Sequence, residues 1–254
     1  MSLPPVFSDS DRPAAIINSA GRWLADQLGS PYQWLPRPRV VQAVSGSLTV
    51  DLLLQGSSNN RAGGSTTVRV QLIVEDEGLR AWQEQHPGLC HRADGRLIAI
   101  SLVNLVPSAV AVELYGPLRR VEPRILSLSD LAEVLCAQVL PVLSCLDSPA
   151  QAVRGLPDRW WLEANGLVEW ALSRGDRAGA RQMVKRYLTR YPGRVPAFRQ
   201  GLAAPDLPIG PLYEPDTALG RLAATAGLVD PSEELPATAP ARRRTLLQRL
   251  RGNH

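Results

Sequence analysis

His86, Cys90 and His91 are the only clustered soft metal ligands in the sequence, in the spacing His-x3-Cys-His. A zinc site takes four protein ligands, or three and a water. No second cysteine pair lies near, and Cys136 and Cys145 fall on or beside an apolar helical segment. The ligand set is incomplete, so no metal is expected. The same residues suggest a Cys–His nucleophile pair, but neighbours on a strand point to opposite faces and would diverge. Glu75, Asp76 and Glu77 form an acidic run at a strand-to-helix junction. General acid–base work needs two carboxylates converging on one pocket. Three in a row diverge, and stabilisation of a helix N-terminus accounts for them. Gly63-Gly64-Ser65-Thr66 lacks the lysine and the following helix that a phosphate-binding loop requires. No catalytic residue, metal or cofactor is assigned, and the chain is read as a non-enzyme.

Residues suited to binding are easier to find. Arg177, Arg181 and Lys185 recur every four residues on one predicted helix and share a face. Arg186, Arg190 and Arg194 extend the positive surface. Six basic groups suit phosphates; arginines near a helix C-terminus also suit the dipole of a solvated helix. A second basic segment runs from Arg242, Arg243 and Arg244 to Arg251, with Leu246, Leu247 and Leu250 at helical spacing. Such a segment docks on a partner, an acidic membrane or nucleic acid, or serves as a solubilising terminus. Trp160, Trp161, Trp170, Tyr187 and Tyr191 concentrate aromatics in the same helical region. Core packing is the expected use, and an exposed tryptophan there would mark a binding anchor instead.

The 254 residues are 44% hydrophobic and 20% charged, which builds a sizeable core and excludes wholesale disorder. The net charge is +4, and residues 241–254 hold five arginines and no acid, so the first 240 residues carry −1. The body is near neutral and the tail is the basic part. Lys185 is the only lysine, an arginine bias that points to a GC-rich bacterial genome. Three cysteines build no disulfide framework. Met1 to Ser10 has neither the basic nor the apolar region of a secretory signal. The longest apolar run, Leu97 to Val103, falls far short of the ~20 residues of a membrane span. A cytoplasmic protein without a transmembrane segment is expected.

These residues must be held by definable elements. Pro13 and the spacing of Ile16, Ile17, Ala20, Trp23, Leu24 and Leu28 predict a helix over about 11–28, ended by Gly29. An extended connector follows to Pro38. Residues 40–44, 48–55 and 67–74 alternate in strand fashion, joined by a Gly46-Ser47 turn and a long polar loop from Gly56 to Thr66. Asp76 caps a short helix to about Gln85. Asp94-Gly95 is expected to join strands Leu89–Arg92 and Arg96–Asn104, and Leu97 to Val103, apolar on both faces, reads as a central strand. Ala109 to Tyr115 adds another strand. A helix starts at Ser127 or Ser129 and is kinked or ended at Pro141. Helices over 148–155, 158–174, 177–191 and 196–203 follow, with one more between Asp216 and Leu228 in an otherwise Pro-rich, loosely packed stretch. The fold class is α+β: an antiparallel sheet with helices on one face over residues 1–146, a helical appendage over 147–204, and an extension over 205–254 ending in the basic tail.

The order αβββαβββα over residues 11–145 resembles type III secretion chaperone-like bacterial proteins. That resemblance implies an α+β fold, frequent dimers, and partner polypeptides held on a sheet or groove. Immunity proteins of bacterial toxin systems have a similar texture. Gly175-Asp176, Ala180 and Pro192 stand where a single tetratricopeptide helix hairpin has its turn, its small packing residue and its closing proline. The reading is a non-catalytic protein-binding module acting as chaperone, adaptor or assembly factor, with homodimerisation as an option. Nucleic-acid binding through Arg177, Arg181, Lys185, Arg190 and the tail is the alternative, and toxin neutralisation a further one.

Overall fold

The computed structural model of the chain describes residues 2–90, 92–106, 111–116, 125–205, 214–230 and 235–236. Helix α1 (Pro13–Leu28) buries Ile16, Ile17, Ala20, Trp23 and Leu24. It lies across the sheet formed by β1 (Gln33–Leu35), β2 (Val40–Ser45), β3 (Leu48–Gly56) and β4 (Thr66–Asp76). After helix α2 (Glu77–Gln85) come β5 (Arg96–Ser101), the single turn α3 (Leu102–Leu105), β6 (Ala111–Tyr115) and β7 (Ile125–Ser127). The strand order is β1-β2-β3-β4-β6-β7, with β5 pairing β4 beside β6. Val50, Leu52 and Leu54 on β3 and Val68, Val70, Leu72 and Val74 on β4 point into the core beneath α1. This is the alternation expected of strands with one face on helices.

The α+β class holds, with four differences in the sheet. β6 and β7 pair in parallel, so the sheet is mixed rather than antiparallel. β1 lies inside the expected connector, where three residues pair with β2. Leu89 and Cys90 form a turn, not a strand, because both backbone N–H groups donate to His86 O at the end of α2. β5 ends at Ser101 and, among the described residues, pairs with β4 alone. Leu97 and Ile98 are both buried because helices, rather than a further strand, cover the second side of β5.

Ser127 caps α4 (Leu128–Val134) in a capping box with Asp130. A π turn (Leu135–Val139), α5 (Leu140–Leu143) and a 3₁₀ turn (Ser144–Asp147) continue the same rod past Pro141. Within this stretch Leu128, Leu131, Leu135, Val139 and Leu146 face the core. Leu128–Asp147 is the one described stretch long and apolar enough to cross a membrane, by length and composition only, and 28% of it is buried.

The helical layer comprises α6 (Pro149–Gly155), a 3₁₀ turn (Asp158–Glu163), α7 (Ala164–Ser173), α8 (Arg177–Arg190), α9 (Val195–Ala203) and α10 (Pro215–Thr225). Its buried side chains join those of the sheet in one contiguous cluster from Ile16 to Val229. Trp160, Trp161, Trp170 and Tyr187 all belong to it, which is the core role expected of them. Helix α10, within the segment read as an extension, is tightly docked. A Cβ on Gly201 would lie 1.9 Å from Thr217 O, and one on Gly220 would lie 2.0 Å from Phe198 O, so α9 and α10 touch backbone to backbone.

Asp76 joins the layers. It is almost wholly buried. Its Oδ1 accepts from Leu79 N at 2.7 Å, capping α2. Its Oδ2 accepts from Ser47 Oγ at 2.8 Å and from Arg174 Nη2, just past α7, at 2.6 Å. Three substitutions test this packing. Asp76→Ala should cost about 3 kcal/mol, since a cap is worth ~1 kcal/mol and bonds to a charged group ~1.5–3 kcal/mol. Gly201→Ala should lower the unfolding free energy read from urea curves by about 2 kcal/mol, because backbone overlap outweighs the ~1 kcal/mol gain in helix propensity. Gly193, which faces open space, should tolerate alanine within ~0.5 kcal/mol.

Candidate functional site

Where α2 and β5 meet α7, α8 and the start of α10, a cavity of about 110 Å³ opens. Gln83, Arg92, Arg96, Leu162, Asn165, Glu169, Tyr187, Asp216 and Leu219 are among its lining residues. Local sequence explains their convergence. Gln83 and Glu169 sit on the buried faces of α2 and α7. Gly166 lets α7 close on β5, where its Cβ would lie 2.4 Å from Leu97 O. Gly95 turns the chain at a φ of 73° and donates its N–H to Gln83 Oε1 at 2.9 Å. Arg96 follows on β5. Polar groups that diverge in the sequence thus share one wall.

The floor holds two buried carboxylates in different states. Both oxygens of Asp216 are engaged, by the Tyr187 hydroxyl and, at 3.0 Å, by Arg194 Nη1. Glu169 Oε2 accepts from Gln83 Nε2 at 2.6 Å. Among the described residues no donor reaches its Oε1. Burial therefore dominates and pushes the Glu169 carboxyl up to about 7, against opposing help from the Gln83 bond and the charge of Arg92. Burial also pushes the Tyr187 hydroxyl up, and the bond to Asp216 adds to it. Arg92 is exposed at the mouth, and Arg96 Nη2 lies 3.5 Å from Asp94 Oδ2. Arg92 and Arg96 thus share the lining with a carboxyl whose second oxygen no donor reaches among the described residues. Among the described residues the cavity lining includes no Ser, Thr, Cys, Lys or His, and both Asp216 oxygens are already engaged.

The basic helix is spent largely on internal contacts. Arg177 Nη2 donates to Ala226 O, and Arg181 donates to Leu228 O at 2.7 Å and to Gly227 O. These carbonyls follow the C-terminus of α10, where cations are favoured. Arg186 donates to Val153 O and Leu156 O and lies 5.1 Å from the Trp161 ring centroid. Arg190 pairs with Asp158 at 2.8 Å. Lys185 is exposed beside it. Arg242, Arg243, Arg244, Leu246, Leu247 and Leu250 lie outside the described residues, as does His91. His86 stacks on Trp82 at 4.4 Å. The Cys90 thiol is pushed up by burial and by Glu169, which opposes nucleophilic use. Among the described residues no group of three or more His, Cys, Asp or Glu is placed to hold a metal ion.

A second surface lies on the sheet face turned away from α1. Register places Ile73 opposite Asp51 and Ala99, with Leu53 opposite Gln71. Leu53 and Ile73 are half-buried and stand outside the core cluster, and Val44 is 56% exposed. Asp51, Arg69, Gln71 and Glu75 surround them on the same face. Comparison with protein-family models, curated proteins and solved structures returns no match.

The state of Glu169 sets a pH dependence. Its folded value, about 7, lies above the ~4.3 of an unfolded glutamate. Its contribution is complete below pH ~4.3 and is lost as pH rises through 7, amounting to about 3 kcal/mol. In urea unfolding at pH 4.5 and pH 8, Glu169→Gln should gain on the parent by about that amount at the higher pH. A difference between the two proteins that does not change with pH would refute this titration.

Proposed function

We propose that this chain is a non-catalytic protein-binding module of the bacterial cytoplasm, an adaptor, chaperone or assembly factor. The observation that carries the reading is the face of β3 and β4 turned away from α1, where half-buried Leu53 and Ile73 stand among polar and charged side chains and Val44 is 56% exposed towards its margin. An apolar patch with a polar rim is the usual make-up of a polypeptide interface. The three cysteines, all free thiols, suit a reducing compartment. Nucleic-acid binding by the basic helix is less favoured, since Arg177 and Arg181 already serve carbonyl groups of their own chain.

Tagged protein from the native host should retain a stoichiometric polypeptide after nuclease treatment. Leu53→Arg with Ile73→Arg should remove it while leaving circular dichroism and the melting temperature unchanged. Retention of the same polypeptide by the double variant would overturn the assignment to this face. Recovery of nucleic acid alone would overturn the protein-binding reading.

A further inference from the structure

The cavity between α7 and β5 has a polarity that the sheet-face reading does not use. Its floor offers Glu169 Oε1, an acceptor with no protein donor among the described residues, on a side chain 94% buried by its 6% exposure. Arg92 and Arg96 line its wall, with the charge of Arg92 acting on Glu169 and Arg96 Nη2 3.5 Å from Asp94 Oδ2. An isolated anion would leave Glu169 unanswered, and an isolated cation would face the arginines. A ligand carrying both charges a few atoms apart meets both demands.

We propose that this cavity binds a small α-amino acid as its zwitterion, with the ammonium on Glu169 and the carboxylate on Arg92 and Arg96. Size supports this class. The cavity is about 110 Å³, and one of ~150 Å³ takes the ring of benzene. Glycine and alanine, with about five and six heavy atoms, lie at that scale. Leu162 and Leu219 supply apolar wall for a methyl side chain. Leu162 is 43% exposed, which puts it at the mouth with Arg92.

Protonation gives the proposal a signature. The groups acting on Glu169 are the Gln83 amide from α2, Arg92 and Asp94 from the turn before β5, and the Cys90 thiol, whose own titration Glu169 opposes. Tyr187, on α8, and Asp216, on α10, line the same cavity, and Asp216 is neutralised by Arg194. With Glu169 titrating at about 7, an arriving ammonium selects the carboxylate and expels the carboxyl proton to the buffer. Affinity should then rise about tenfold per pH unit below 7 and level off above it.

Isothermal titration of the full chain with glycine and L-alanine, at pH 7 in two buffers of different ionisation enthalpy, tests this. The expected result is saturable binding with release of about half a proton per ligand. Acetate and methylammonium should each bind at least about tenfold more weakly, since each satisfies one pole only. Glu169→Gln and Arg92→Ala should each weaken alanine at least about tenfold, while Leu53→Arg with Ile73→Arg should leave it unchanged. Absence of binding by both amino acids overturns the proposal. So does acetate binding as tightly as alanine, or alanine binding that Glu169→Gln does not weaken. None of these outcomes bears on the sheet face.

Discussion

A buried charge must be answered on every side, and Asp76 is where this chain meets that demand. Taken out of water, a carboxylate without partners costs several kcal/mol. Asp76 finds its partners in three separate places: the backbone of α2, the turn between β2 and β3, and Arg174 beyond the end of α7. The last of these is 98 residues away in sequence. Satisfying one side chain therefore fixes where α7 must lie. Once α7 is laid along β5, Gly166 rests on strand carbonyls and Glu169 is carried beneath the turn at Gly95.

The two other buried carboxylates join elements in the same way and differ in how fully they are used. Asp216 ties the start of α10 to Tyr187 on α8 and to Arg194, and nothing is left over. Glu169 ties α7 to α2 through Gln83 and keeps one oxygen back. The cavity thus arises at an incompletely satisfied joint. Its capacity to bind comes from the same desolvation that holds the layers together.

Much of the frame is legible in the sequence, because local signals decide it. Asp76 as a cap, Ser127 as a capping-box residue and the two-residue alternation of β3 and β4 all act within a few residues. What is not legible depends on distant chain. Leu97 to Val103 reads as a central strand because it is apolar on both sides, but the strand ends at Ser101 and its second side is covered by α7, whose position depends on Arg174. The parallel pairing of β6 with β7 leaves no mark in either strand of a few residues. The basic helix reads as a phosphate surface because the carbonyls that absorb Arg177 and Arg181 come from residues 226–228. The cavity had one local clue, a lone acid in the apolar run Leu167-Val168-Glu169-Trp170. Arg92 and Asp216 meet it only in three dimensions.

The contact of α7 with β5 also covers the strand's open margin. Among the described residues β5 pairs with β4 alone, so its outer margin would otherwise be a row of unpaired amides beside Leu97 and Ile98. Unprotected margins of that kind recruit strands from other chains and seed aggregates. Here a glycine-backed helix seals it. The C-terminal helices therefore act as a stopper for the sheet, and a fragment ending before Ser148 would present a sticky, β-branched ribbon rather than a smaller version of the same protein.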